Sequence, residues 1–451
     1  MRRVIHTPIS GFPEFLPQEQ ILFNRLKDLI RQKFELYGAV PIETPAIERL
    51  STLLAKGGNK KEIYGIHRLA TENTEFQEKD LGLRFDLTVP LARYVADHEH
   101  DLTFPFRRYQ IQTVWRGERP QAGRYREFLQ CDFDVIGKGH LSLFNDAEIL
   151  AMVFDIFHDM QIGPFVISIN NRKILTGFVQ SLALPEKDTT NRVISVIDKL
   201  EKIGLAQARN ELKRLGLSEQ DIEKLVEFFS TRNTNEQMLR FLRKQKINPL
   251  FEEGVEELHR VIEYLKVLQI PAECYQIDLS IARGLDYYTG TIFETRLVQH
   301  PGIGSVCSGG RYDHLIGLFL NAERNYPGVG FSIGLTRLYP RLRQAGVLED
   351  GPATVAPVLV TAQESAYLLE YIRMAAEIRD HHIGCEVFTE PKKLATQMKY
   401  AHRKGFTIAI IAGQREFSEG TVIVRHLFTG EQKIVPREEL VTTVKKFLNL
   451  L

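Results

Sequence analysis

The chain has 451 residues, 58 Lys+Arg against 57 Asp+Glu, 43% hydrophobic residues and four cysteines. At roughly 100–200 residues per domain, this is about two to four domains with enough apolar content for packed cores, which excludes disordered and collagen-like classes. No run reaches the ~18 apolar residues of a membrane span, no apolar signal core follows Met1-Arg2-Arg3, and Cys131, Cys274, Cys307 and Cys385 form no Cys-x-x-Cys pair. A cytoplasmic protein with reduced thiols, no zinc site and no membrane partner is expected.

From Gln18 to Tyr37, apolar Ile21, Leu22, Leu26, Leu29, Ile30 and Phe34 recur at helical spacing, and Gly38 fits the C-terminal stop. Val40 to Glu48 carries two prolines and reads as one extended segment. Tyr109–Trp115 and Phe128–Ile136 read as strands joined through a polar loop at Arg116–Arg126, a hairpin with a long basic tip. Further strands are predicted at Val166–Asn170, Tyr275–Ile281 and Gly290–Arg296. Between them, from about Pro185 to Leu268, the spacing is helical and strand signals are few, which reads as a helical insertion in a β-rich domain. A Gly- and Pro-containing linker follows Arg343. Beyond it, strands at Val358–Thr361, Cys385–Phe388 and Thr407–Ile411 alternate with helices near Tyr367–Asp380 and Leu394–Arg403, as in a small open α/β domain.

Common nucleotide motifs are absent. No Gly-x4-Gly-Lys-Ser/Thr string occurs, and neither Gly302-Ile-Gly304 nor Gly328-Val-Gly330 completes a dinucleotide fingerprint. The hairpin tip instead places Arg116, Arg119, Arg124 and Arg126 within eleven residues, with Glu118 and Glu127 too few to neutralise them. Guanidinium forks bind phosphate oxygens bidentately, and Phe128 offers a face for a base. A solvated basic loop with structural salt bridges explains the same residues. Ile281-Ala-Arg-Gly-Leu-Asp-Tyr-Tyr-Thr-Gly290 adds an arginine, an acid and two tyrosines, suited either to a planar polar ligand or to a turn with core tyrosines. In Ser308-Gly-Gly-Arg-Tyr-Asp313, small residues allow close backbone approach to a ligand.

In chain order these segments resemble a known family. Arg116-Gly-Glu-Arg119 with Arg124-Tyr-Arg-Glu-Phe128 resembles motif 2 of the class II aminoacyl-tRNA synthetases, Phe34–Glu48 with Pro45 resembles motif 1, and Gly328–Arg337 resembles motif 3. Arg283-Gly-Leu-Asp-Tyr-Tyr288 and Ser308–Asp313 are similar to two peptides peculiar to the histidyl-tRNA synthetases. The match covers essentially the whole chain.

The resemblance implies an α+β fold: a class II synthetase-like antiparallel sheet flanked by helices, with a helical insertion and a C-terminal α/β anticodon-binding domain. The expected divisions are a catalytic domain in two parts (1–184 and 269–344), the insertion (185–268), a linker (345–356) and the anticodon-binding domain (357–451). The implied reaction activates L-histidine with ATP and Mg2+ as substrates, with no tightly bound cofactor, and transfers the histidyl group to tRNA(His). Carried over by position, Arg116 contacts the α-phosphate, Glu118 the adenine amino group and Arg124 the γ-phosphate, while Phe128 and Arg337 sandwich the adenine. Asp86 and Thr88 hold the substrate ammonium. Gln130, Asp134, Tyr287 and Tyr288 line the amino-acid pocket with Arg116 and Arg283. Arg283 faces the α-phosphate opposite Arg116, where related enzymes use a metal ion. Gln121 lies where the family reads the tRNA acceptor end, and Lys392, Lys393, Lys399, His402, Arg403 and Lys404 offer cations for RNA phosphates. The motif 1 element implies a homodimer.

One position departs from the family. The acid that usually precedes the motif 3 arginine is Thr336 here, so no carboxylate role is expected there. A non-catalytic histidine-sensing paralogue, such as the regulatory subunit of ATP phosphoribosyltransferase, is the alternative; it typically lacks the last domain and loses catalytic arginines. The near-zero net charge does not argue against an RNA partner, because a sum over the chain cannot see a basic face.

Overall fold

A computed structural model describes residues 7–55, 62–67, 80–119, 123–182, 184, 189–282, 287–320, 325–349 and 351–450, the side chains of 200–202 excepted. The chain divides into two compact units, one of Met1–Pro13 and Lys27–Leu348, the other of Glu14–Leu26 and Glu349–Leu451.

The first unit takes in the last part of α1 (Pro17–Leu36), from Lys27, and continues through β1 (Val40–Pro41), β2 (Ile47–Arg49), α2 (Leu50–Leu54), β3 (Gly65–Ile66), β4 (Leu81–Leu83) and α3 (Thr88–Asp97). The long hairpin of β5 (Phe106–Trp115) and β6 (Glu127–Ile136) follows, then α4 (Phe144–Met160), β7 (Phe165–Asn171) and α5 (Arg172–Gln180). Next come the helices α6 (Thr189–Asp198), α7 (Leu200–Arg214), α8 (Glu219–Ser230), α9 (Asn235–Gln245) and α10 (Pro249–Val267). The unit closes with β8 (Tyr275–Ile277), β9 (Thr291–Leu297), β10 (Ser305–Tyr312), β11 (Gly328–Gly334) and α11 (Leu335–Gln344). Eight strands form one sheet in the order β1-β5-β6-β11-β10-β9-β7-β8. Its pairs are antiparallel except β1 with β5 and β7 with β8.

The α1 helix buries Ile30 and Phe34 on one stripe and stops at Gly38, whose φ of +77° strains other residues. Phe34 sits 5.7 Å from the rings of Tyr109 and Phe133 and 5.8 Å from Phe331. Because strand side chains alternate faces, Tyr109, Ile111, Cys131, Phe133, Phe331 and Ile333 share this apolar face. Arg108, Gln110, Gln112, Gln130, Asp132, Asp134 and Ser332 point to the other. Burial on both faces turns the second into a polar interior, where every charge needs a partner or a ligand.

The expected extended segment at 40–48 is split. Val40 and Pro41 pair with Arg108 and Tyr109 in the large sheet, whereas Ile47–Arg49 pairs with β4 in a separate three-stranded sheet. The strands β10 and β11 exceed the sequence reading, which saw glycines there rather than strand formers. Between α5 and β8 the described residues form helices and no strand. Three of these helices have side-chain N-caps: Ser218 on α8, Thr234 on α9 and Asn248 on α10, which also starts with Pro249.

In the second unit, β12 (Val358–Val360), α12 (Leu368–Asp380), β13 (Cys385–Val387), α13 (Leu394–Lys404) and β14 (Ile408–Ile411) form the expected α/β alternation with parallel pairs. Then α14 (Gln414–Glu419), β15 (Thr421–His426), β16 (Gln432–Pro436) and α15 (Leu440–Phe447) extend the sheet with two antiparallel strands, giving the order β13-β12-β14-β15-β16.

Candidate active site

The β5–β6 register places Arg116 and Arg126 where the strands leave their ladder, with Arg116 N–H donating to the Arg126 carbonyl at 2.8 Å. Arg116 Nε also donates to the Phe85 carbonyl at 2.9 Å, and its guanidinium lies 5.2 Å from the centre of the Phe128 ring. Phe128 is buried against Leu87 and Val114. From α11, Arg337 stacks on the same ring at 4.1 Å, and its Nη2 lies 3.5 Å from Glu118 Oε2. Phe128 and Arg337, expected on either side of an adenine, stack directly on one another. Glu118 Oε2 and Arg337 Nε and Nη2 are buried without a hydrogen-bond partner. Burial, together with the charges of Arg116 and Arg124, pulls the Arg337 guanidinium down to about 10. Arginine cations that repel one another beside buried unsatisfied polar atoms suit a ligand with an anionic tail and a planar polar ring. Arg124 is exposed at the mouth of this cluster.

Thr336 has a defined task in place of the family's acid: its hydroxyl accepts the Leu129 N–H at 2.8 Å, fixing α11 to β6 beside Phe128.

Across the polar face, register makes rows: Arg108, Asp134 and Gly330; Gln110, Asp132 and Ser332; Gln112, Gln130 and Gly334. Asp134 is held on both oxygens, by Arg108 Nη2 at 2.5 Å and by the Tyr312 hydroxyl, which donates at 2.7 Å. Gln130 Nε2 donates to Ser332 Oγ at 2.7 Å, while its buried Oε1 lacks a partner. Asp132, absent from the sequence reading, lies between Gln130 and Asp134 on this face and is equally buried. Burial pushes Asp132 up to about 7 and Asp134 to about 6, opposed by Arg108. Its even spacing from Gln130 was the signal that could have found it.

Asp86 is buried just before α3 and accepts the Val89 N–H at 3.2 Å; Thr88 is the first residue of that helix. Tyr287 and Tyr288 are partly buried with ring centres 4.6 Å apart, and Tyr287 meets Tyr312 edge-on at 5.8 Å. Burial raises both phenols above their ordinary range.

The glycines around this face make room for protein before ligand. A Cβ on Gly330 would lie 2.0 Å from Asp134 Oδ1, one on Gly328 2.4 Å from the Tyr312 ring, and one on Gly310 2.9 Å from Tyr288. Arg311 of the Ser308–Asp313 peptide turns away to a buried bidentate pair with Asp146 of α4, at 3.1 and 2.5 Å. Arg283 and Gln121 lie outside the described residues.

In the second unit, Lys404 is held by Glu386 at 3.0 Å and Lys392 by Glu390 at 2.7 Å. Lys393, Lys399, His402 and Arg403 are exposed and carry no ion pair among the described residues, so the expected cationic set narrows to these four.

An antiparallel sheet with a polar inner face, entered by an arginine hairpin and followed directly by an arginine-bearing helix, is the arrangement of the class II aminoacyl-tRNA synthetases. Comparison with known proteins agrees. The family model described as histidyl-tRNA synthetase matches residues 11–338, and that described as anticodon binding domain matches 354–447. The chain therefore belongs to the histidyl-tRNA synthetase family. It is 44% identical over 440 residues to the histidine–tRNA ligase of Clostridium tetani (strain Massachusetts / E88), covering 97% of each chain. It matches the crystal structure of histidyl-tRNA synthetase from Nostoc sp. PCC 7120 with a TM-score of 0.90 and 41% identity, covering 98% of this chain and 100% of that one. An ATP phosphoribosyltransferase regulatory subunit/histidyl-tRNA synthetase from Bacillus halodurans C matches with a TM-score of 0.72 at 20% identity, covering 88% of this chain and 97% of that one, a likeness of fold alone. No helix among the described residues is long and apolar enough to cross a membrane.

Proposed function

We propose that the chain is a cytoplasmic homodimeric enzyme that condenses L-histidine with Mg–ATP to histidyl-adenylate and pyrophosphate, then transfers the histidyl group to the 3′ end of tRNA(His). The carrying observation is the set of buried, unsatisfied polar atoms around the Phe128–Arg337 stack, next to a buried polar strip that ends in the unpartnered Gln130 Oε1. Adenine enters between Phe128 and Arg337, its amino group meeting Glu118, and the phosphates lie along Arg116 and Arg124, replacing mutual repulsion by charge-assisted hydrogen bonds. Asp86 and Thr88 take the substrate ammonium. Gln130, Asp132, Asp134, Tyr287 and Tyr288 surround the imidazole, whose two nitrogens both need partners.

The histidine carboxylate attacks the α-phosphorus in line and pyrophosphate leaves. Arg116 and Arg283, on opposite sides of the phosphorus, stabilise the developing charge. No side-chain nucleophile is needed, so orientation supplies much of the acceleration. Residues 185–268 serve as the insertion in a catalytic domain of 1–184 and 269–344, residues 345–356 link it to residues 357–451, and that last domain holds the anticodon with Lys393, Lys399 and Arg403 near backbone phosphates. Gln121 meets the acceptor end.

Charging of a tRNA(His) transcript with labelled histidine tests this reading. Accumulation of labelled charged transcript is expected, and adenylate formation without any transfer would overturn the second half of the reaction. An Arg283→Ala variant that folds normally but loses adenylate formation fits the assigned role; near-normal pyrophosphate exchange in it would remove that assignment.

A further inference from the structure

Helix α11 carries a second arginine one turn after Arg337. Residues four apart share a helix face, so Arg341 extends towards the same hairpin that Arg337 caps. Its Nη1 donates to the carbonyls of Gly302 and Ile303, at 2.9 and 2.7 Å, in the connection between β9 and β10. Its guanidinium also packs against Gly123: a Cβ there would come within 2.0 Å of Arg341 Nε and 2.7 Å of its Cζ. Gly123 has φ +75° and directly precedes Arg124, on the returning arm of the hairpin. The Arg341 charge reaches Tyr125, two residues on, where it opposes the rise that burial imposes on the phenol. Tyr125 in turn packs against the Leu87–Val114–Phe128 cluster under the adenine sandwich.

We infer that Arg341 is a positioning residue for ATP: it braces the returning arm of the arginine hairpin against α11 and the β9–β10 connection, and so sets where Arg124 meets the polyphosphate. The inference rests on the ATP site assigned above. Nη1 is taken up by two carbonyls, which holds the guanidinium in place, and Gly123 packs against its Nε and Cζ where a side chain would start. The hairpin arm and the adenine-capping Arg337 then move as one body with α11. Without the brace, Arg124 keeps its charge but loses its fixed approach to the phosphate, and misplacement of about 1 Å costs up to about a hundredfold in rate. Glycine at 123 is required twice over, by its positive φ and by the guanidinium lying where a side chain would start.

The test measures pyrophosphate exchange by the full-length chain and by its Arg341→Ala and Arg341→Lys variants, varying ATP and histidine separately, with thermal melts alongside. For Arg341→Ala, kcat/KM for ATP is expected to fall about 10- to 100-fold, while KM for histidine stays within about twofold and the melting temperature is unchanged. Arg341→Lys, which keeps the charge and can reach one carbonyl but lacks the guanidinium atoms that pack against Gly123, is expected to recover part of the loss. A folded Arg341→Ala protein with ATP parameters within about twofold of the parent overturns the inference, as does an equal loss towards ATP and histidine. Should the alanine variant fail to fold, a lysine variant matching the parent towards ATP overturns it as well. Exchange by the parent chain keeps the functional reading intact whatever the variants do; absence of exchange in the parent overturns that reading and this inference together.

Discussion

Replacing Arg337 by methionine should separate stability from ATP binding. Arg337 is 28% exposed at its side chain, and its guanidinium is pulled from its ordinary value down to about 10 by burial and by Arg116 and Arg124. The difference amounts to about 3 kcal/mol against the charged form, and solvent screening at the exposed edge reduces it to about 1–2 kcal/mol. Because the folded value lies below the ordinary one, this penalty is fully present below pH of about 10 and is relieved only above it. Stacking on Phe128 returns about 1–2 kcal/mol, so the charge is close to neutral for folding. Methionine keeps an unbranched apolar stem on the ring, and the ligand-free variant should melt within about 2 °C of the parent. Towards ATP, the variant loses one face of the sandwich and a cation near the phosphates, about 2–3 kcal/mol, or about 30- to 150-fold in ATP affinity. Pyrophosphate exchange against ATP concentration and thermal melts measure both. A melting temperature lowered by more than about 5 °C with unchanged ATP dependence would show Arg337 to be structural and refute the reasoning.

Three further outcomes follow from the two faces of the large sheet. Gly330→Ala puts a methyl group 2.0 Å from Asp134 Oδ1 and 2.6 Å from the Phe133 carbonyl; displacing Asp134 from Arg108 should raise KM for histidine by about 100-fold or more with a much smaller effect on ATP, as steady-state kinetics would show. Arg311→Ala leaves buried Asp146 without its cation, and denaturant unfolding should record a loss of about 3–5 kcal/mol. Asp132, raised from 3.8 to about 7, holds its proton in the folded state over a pH range where the unfolded chain has released it. The parent should therefore lose stability relative to Asp132→Asn as pH rises from about 4 to about 7, a difference readable from unfolding midpoints across that window. A difference that is flat, or of the opposite sign, would remove Asp132 from the buried polar face.

Much of the architecture was legible because it rests on periodicity and prolines. The α1 stripe, the β5–β6 hairpin and the α/β alternation after residue 357 all emerge from spacing alone. The strands β10 and β11 did not, because Gly309, Gly310, Gly328 and Gly330 are poor strand formers locally and are kept for the side chains that cross above them. The split of residues 40–48 between two sheets depends on which strands sit alongside, a long-range fact that no local pattern holds.

The site shows the same division. Motif spacing located Phe128, Arg116, Glu118 and Arg337, which the fold brings together. Partner choice was hidden: the spacing puts Asp134 on the pocket face, and its two oxygens are engaged there by Arg108 and Tyr312, 26 and 178 residues away in sequence. Asp132 sat one alternation from Gln130 and was passed over. Arg311, read with a ligand-facing peptide, belongs to a buried ion pair. Thr336, a departure by sequence, turns out to anchor a strand through one hydroxyl.

The central claim is that this sheet face selects histidine for activation by ATP. Amino-acid-dependent exchange of labelled pyrophosphate into ATP, run in parallel with each of the standard amino acids, tests it most directly. Exchange with histidine alone is the expected result; exchange with none of them, or driven by an amino acid other than histidine, would contradict it.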